Sequence, residues 1–414
     1  MSGEDRYYDA LETRDPAARE AEQLARLPEQ IANAKKNAPG WGRILGDTNP
    51  ADITSRDALA RLPVTRKSAL IELQKTEMPF GGLTTAPANR LGRLFSSPGP
   101  IYDPEALRPD YWRFARAFYA AGFRAGDIVH NTFSYHLTPA GSMGESGAHA
   151  LGCAVIPAGV GQTEQQLQVI ADLKPGCYVG TPSFLRVLME KAKETGMDAS
   201  SLRRACVGGE ALPPSLRSLL GDFGVQVLQL YGTADLGLIA YESEALEGLI
   251  VDEGVLIEIV RPGTGDPVPE GEVGEVVVTT FNPDYPLIRF GTGDLSAILP
   301  GISPCGRTNA RIKGWMGRAD QTTKVKGMFV HPGQIAQVVG RHREIKRGRL
   351  IVTGDAKGDV MTLHCEVSPV DDALADRIAE TLQGITKLKG KVMLVEPGTL
   401  PNDGKVIEDA RTYE

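Results

Sequence analysis

Four short stretches set glycine beside charge in ways that suit phosphate or nucleotide chemistry. The first, Tyr231-Gly-Thr-Ala-Asp-Leu-Gly, follows a mostly apolar run at 225–230 that reads as a strand. A strand ending in a glycine turn that carries a carboxylate can set a metal ligand beside a phosphate. The second, Arg289-Phe-Gly-Thr-Gly-Asp294, has two glycines that let backbone approach a ligand. Its carboxylate can accept from two ribose hydroxyls. The third, at 317–327, mixes Arg318, Asp320, Lys324 and Lys326 between bounding glycines, and the fourth ends a glycine loop at Lys405. Taken singly, the first reads better as an ordinary turn, the second as a tight hairpin turn with a surface Asp and the fourth as a surface charge, while the third could be a solvated hairpin but is more specific for its length and its position at the domain boundary.

The elements that must hold these stretches follow from periodicity. Leu24, Leu27, Ile31 and Ala34 predict a helix over 16–38, with Pro28 a point where it kinks or divides. A second helix is expected at 108–121. Apolar runs at 127–131, 154–157 and 177–179 read as buried strands, with helices between them at 164–173 and 184–195. Such alternation implies an α/β fold with a parallel sheet. From about 250 to 318 the texture becomes β-rich, with strands at 255–260 and 275–280 around a segment dense in turn formers. The remaining residues, 319–414, read as a small α+β unit: strand, helix, strand, strand, helix, strand.

Composition narrows the classes further. The chain has 414 residues, too many for one core, and a net charge of −7, which gives no argument for nucleic-acid binding. No apolar run approaches the ~20 residues of a membrane span. Residues 1–15 are acidic and polar, unlike a secretory signal. The five cysteines are scattered and odd in number, which suits reduced thiols in a cytoplasm.

The order and spacing of the four stretches resemble the superfamily of acyl-CoA synthetases, luciferases and peptide-synthetase adenylation domains. Within it the chain is most similar to phenylacetate–coenzyme A ligases, over nearly its whole length. The likeness includes Ala121-Gly-Phe-Arg-Ala-Gly-Asp127, Gly161-Gln-Thr-Glu-Gln-Gln166, Asp172-Leu-Lys-Pro175, Thr181-Pro-Ser183, Gly208-Gly-Glu210, Pro300-Gly301 and Pro304-Cys-Gly-Arg-Thr308.

The resemblance implies an enzyme that joins a carboxylic acid to AMP with MgATP, releases pyrophosphate and passes the acyl group to CoA. It implies a large acid- and nucleotide-binding domain at 1–318 and a mobile lid at 319–414. By position, Lys405 resembles the lysine that bridges the acid and the phosphate. Asp294 resembles the ribose-binding aspartate, with Arg318 assisting. Asp235 takes the place of the metal-binding glutamate. Tyr231 would stack near the adenine, with Gly208, Gly209 and Glu210 lining the same pocket and Gly232 and Thr233 beside it. Asp320 falls at the hinge, and Lys324 resembles the lysine presented after the lid swings. Tyr135 and His136 fall in the segment that forms the acid pocket, with Glu145 either paired to His136 or solvated. An aromatic acid is the default substrate and a small hydroxy or branched acid its rival. A homodimer is compatible with the likeness.

Three positions depart from the family pattern. The phosphate loop corresponds to Phe95-Ser-Ser-Pro-Gly-Pro100, where Ser96 and Ser97 remain, but two prolines enter and the lysine is absent. Proline lacks the N–H with which such a loop cradles phosphate. Ala234 stands where Thr or Ser is usual, and Asp235 is one methylene shorter than glutamate. With only Cys305 left near the β-rich segment, no structural zinc is expected. Transfer to a carrier protein or an amine, and a degenerate homologue that binds nucleotide without turnover, are the alternatives.

Overall fold

The first helix covers Pro16–Asn37. Pro16 opens it with a preset φ, and the Asp15 carboxylate accepts from Ala18 N at 2.9 Å. Pro28 lies inside it. Leu27, Ile31 and Ala34 share a buried cluster with Val255, Ile257, Val276, Val278 and Phe290. Two glutamines pin the same helix to strand ends. Gln23 donates to Val255 O at 3.3 Å and Gln30 to Thr280 O at 2.9 Å.

The computed structural model describes residues 6–411 except 98–100, 262–263, 317, 320, 322, 327, 331, 356–357, 369–371 and 402–404. Asp320 lies outside the described residues, and so does the side chain of Lys324. The chain forms two units, Met1–Met316 and Gly317–Glu414.

In the first unit, the strands Gln226–Thr233, Arg204–Val207, Cys177–Gly180, Ile128–Asn131 and Ala154–Pro157 lie side by side, all parallel. The helices Ala140–Ala150, Thr163–Leu173, Pro182–Thr195 and Pro214–Asp222 alternate with them, the expected α/β arrangement. Every residue of Cys177–Gly180 is buried, as fits a parallel strand covered on both faces. Beyond Gln226–Thr233 the sheet turns antiparallel through Gly237–Tyr241, Leu249–Val251, Arg311–Ile312 and Ile298–Leu299. A second sheet joins Val255–Val260, Gly274–Thr280 and Phe290–Ser296 to the short N-terminal strand Thr65–Arg66. The β-rich stretch thus contributes strands to both sheets.

Three local expectations change. The helix expected at 108–121 begins only at Phe114, because Asp110 and Arg113 take left-handed φ values of 46° and 65°. The strand at 225–230 continues to Thr233, so Tyr231, Gly232 and Thr233 stand in a ladder and the turn is confined to 234–236. Gly232 permits this: a Cβ there would lie 2.5 Å from Gly237 O on the partner strand. Residues 290–294 likewise belong to the strand Phe290–Ser296, which reaches the sheet through a register shift.

The second unit pairs Thr323–Val325 with Met328–Val330. It then packs the helices Pro332–Arg341 and Asp372–Thr386 with a sheet of Lys391–Val395, Gly358–Val367, Ile345–Asp355 and Ile407–Asp409. The opening hairpin and the closing strand exceed the expected element order. Among the described residues no helix is long and apolar enough to cross a membrane.

Candidate active site

Ligands of open α/β sheets bind beyond the carboxyl ends of the parallel strands. Here those ends bring together Thr132 and Phe133, Thr181, Gly208 to Glu210, and Tyr231. The strand Gln226–Thr233 carries Tyr231 to the edge, where its hydroxyl donates to Asp294 Oδ2 at 2.9 Å and lies 3.3 Å from Thr292 Oγ1. Trp315 Nε1 donates to Asp294 Oδ1 at 3.1 Å. Two of the four stretches therefore meet through a direct hydrogen bond. Asp294 is only 8% exposed.

Beside this edge lies a buried pair of acids. The Asp235 side chain is wholly buried, and its Oδ2 forms an ion pair with Lys67 Nζ. Lys67 is the first residue of the helix Lys67–Thr76. Asp103, on the strand Ile101–Glu105, is also fully buried. Asp103 lies against Asp235 and the Ser97 hydroxyl, and Asp235 Oδ1 accepts from no N–H group among the described residues. Burial, followed by the charge of Asp235, pushes the Asp103 carboxyl up to about 8, while Lys67 pulls it down.

The acid side is built around Gly209. Its φ of 78° favours glycine, and a Cβ there would stand 3.9 Å from both Phe133 and Thr181. Gly208 N donates to Gly180 O at 3.1 Å and ties this turn to the neighbouring strand. Tyr135 OH accepts from Asn131 Nδ2 at 2.8 Å. Burial and then the adjacent Glu145 push the Tyr135 phenol up. Glu145 thus acts on Tyr135, whereas sequence left it open to His136 or solvent. His136 is exposed, and so is Glu210. Ser96 and Ser97 lie in the strand Arg93–Ser97: Ser96 N donates to Leu137 O at 2.8 Å, and Ser97 Oγ donates to Ile101 O at 3.2 Å. The hairpin is thereby fastened to the Tyr135 loop. Thr233 Oγ1 accepts from Leu236 N at 3.2 Å and closes the turn that bears Asp235.

The second unit holds Arg318, Lys324 and Lys405. Within it, Gln321 Oε1 accepts from Val406 N at 2.6 Å and Ile407 N at 3.0 Å. The third stretch and the residues next to Lys405 are therefore neighbours.

A family model described as AMP-binding enzyme matches residues 110–282, which span the parallel sheet and Tyr231. The phenylacetate–coenzyme A ligase of Escherichia coli is 30% identical over 96% of this chain and 95% of its own length. That of Thermus thermophilus is 30% identical over 95% of this chain and 96% of its own. The chain belongs to the phenylacetate–coenzyme A ligase family. It is an ATP-dependent acid–CoA ligase that works through an acyl-adenylate. A solved 2-hydroxyisobutyryl-CoA ligase, in complex with 2-HIB-AMP and CoA, has the same fold: TM-score 0.78, 24% identity, 99% of this chain and 94% of that one covered.

Within this family member, sequence reasoning missed Lys67, Asp103, Asn131, Thr292 and Trp315. Lys67 left one signal, since a cation at the first position of a helix faces the positive end of the dipole. Asp103 left another, as an acid in a strand whose neighbours on both sides are apolar or proline. Trp315 carries no local pattern, because its partner Asp294 is 21 residues away, and neither Asn131 nor Thr292 stands in a spacing that marks it.

Proposed function

We propose that this ligase activates an aryl acid such as phenylacetate, and that the hydrogen bond between Tyr231 and Asp294 marks its nucleoside site. That bond carries the reading because it joins the two stretches expected to hold adenine and ribose. Asp294 accepts the ribose hydroxyls with Arg318 assisting, and Tyr231 stacks near the adenine. Gly208, Gly209, Glu210, Gly232 and Thr233 line the same pocket, and Ser96 and Ser97 face the phosphates. Phe133 beside Gly209, with Tyr135 two residues further along the same segment, gives the acid side two aromatic rings, which favours a ring over a small hydroxy acid, and His136 follows them in that segment.

Mg2+ fits the donor set. Asp235 offers one buried hard carboxylate oxygen, Oδ1, that accepts from no N–H group among the described residues, and Asp103 lies beside it, although no cluster of three or more His, Cys, Asp or Glu occurs among those residues. Mg2+ commonly takes one or two carboxylates and completes its shell with phosphates. Bound there, it supplies neutralising charge to the leaving pyrophosphate. Lys405 serves the first half-reaction by balancing the charge between acid and α-phosphate. Asp320 acts as the hinge of a mobile lid, and Lys324 serves thioester formation. No structural zinc belongs to this reading: Cys305 Sγ lies 3.1 Å from the Ser303 hydroxyl and 3.6 Å from the Arg307 guanidinium. The five buried free thiols favour a cytoplasmic setting, and a homodimer is the assembly inferred from the family.

The test is a competition of phenylacetate against 2-hydroxyisobutyrate, with ATP, Mg2+ and CoA, read by mass spectrometry. Phenylacetyl-CoA as the dominant thioester supports the aryl reading. Dominance of the hydroxyacyl thioester removes it.

A further inference from the structure

The buried acid pair contains a cation of its own. Asp235 has no solvent access, whereas Lys67 keeps 28% of its side chain exposed. A carboxylate taken out of water needs a counter-charge, and one partner of this pair can move while the other cannot. Asp103 adds a second fully buried acid to the same place. Lys67 also stands at the first position of its helix, where the dipole disfavours a cation, so helix stability does not account for it. The stretch that resembles the phosphate loop, 95–100, has no lysine.

We propose that Lys67 is a positioning residue that holds the charge of Asp235 until MgATP arrives, then yields the carboxylate to the divalent cation and turns to the phosphates. This rests on the ATP-dependent reading above. Lys67 thus acts on the two ligands in opposite directions. It competes with a divalent cation for Asp235, and it attracts the phosphate chain that the loop lacks a lysine to hold.

The experiment uses the full chain without acid or CoA. Mn2+ binding is followed by loss of the free-ion electron paramagnetic resonance signal, and ATP binding in Mg2+ by titration calorimetry. With Lys67→Met, Mn2+ alone should bind about tenfold more tightly, as removal of a like charge a few ångströms away implies, and ATP about tenfold more weakly. Adding Asp235→Asn should abolish the gain in Mn2+ affinity. A purely structural Lys67 would weaken both affinities together or change neither, and either result overturns the proposal. If Lys67→Met does not fold, Lys67→Met with Asp103→Asn, which removes one buried acid beside Asp235, is compared with Asp103→Asn alone by the same criteria. Because no turnover is needed, a chain that formed no acyl-CoA would still display or lack the opposed shifts.

Discussion

The Tyr231 hydroxyl donates to Asp294 Oδ2 at 2.9 Å across 63 residues of sequence. The bond links a strand of the nine-stranded sheet, Gln226–Thr233, to the strand Phe290–Ser296 of the second sheet. Trp315 holds the other oxygen of the same carboxylate.

Tyr231→Phe keeps the ring and removes that donor. A hydrogen bond to a charged group contributes about 1.5–3 kcal/mol. ATP affinity should fall by roughly tenfold or more, while the KM for CoA stays within about twofold. Titration calorimetry with ATP checks this, and unchanged ATP affinity would remove Asp294 and Tyr231 from the nucleoside site.

Lys405→Ala should abolish adenylate formation and leave thioester formation from preformed acyl-AMP largely intact. Single-turnover assays of each half-reaction measure the split. Equal loss in both would end the assignment of Lys405 to the first step.

Gln321→Ala should act through the residues next to Lys405. Its side-chain oxygen holds Val406 N and Ile407 N, so its removal frees two backbone donors. The adenylation rate should drop by about tenfold, while thioester formation from acyl-AMP changes less than about threefold. A uniform loss in both half-reactions, matched by a lower melting temperature, would reduce Gln321 to a structural role.

Asp110 gives the stability a pH signature. Its carboxylate accepts from Ala115 N at 3.2 Å, but burial outweighs that bond and pushes the group up to about 7. A folded pKa above the unfolded value means the native state retains a proton that the unfolded chain has released. The stabilisation is complete below about pH 4 and is lost as pH rises through about 7, an effect on the order of 4 kcal/mol. Asp110→Asn should flatten that part of the stability profile in denaturant titrations between the two limits. Parallel profiles for the two proteins would contradict it.

The parallel α/β sheet was legible because its strands are short apolar runs separated by amphipathic helices. The helix over residues 16–37 declared itself through Leu27, Ile31 and Ala34. Local pattern misplaced the glycine stretches. Tyr231-Gly-Thr and Phe290-Gly-Thr-Gly read as turns, yet both are strand, because long-range pairing with Gly237–Tyr241 and Gly274–Thr280 overrides local preference. The bond between Tyr231 and Asp294 follows from no spacing rule; only the family resemblance placed both residues at one nucleotide. Lys67 and Asp103 stayed hidden for the same reason, since each owes its meaning to Asp235, more than 130 residues away in sequence.

Acid-dependent release of pyrophosphate is the most direct test of the central claim. With ATP, Mg2+ and a panel of aryl, hydroxy and short-chain acids, release should require one acid, phenylacetate among the best, and CoA should then yield AMP and the acyl-CoA. Silence across the panel, with ATP binding intact, would contradict the account and leave a nucleotide-binding homologue without ligase turnover.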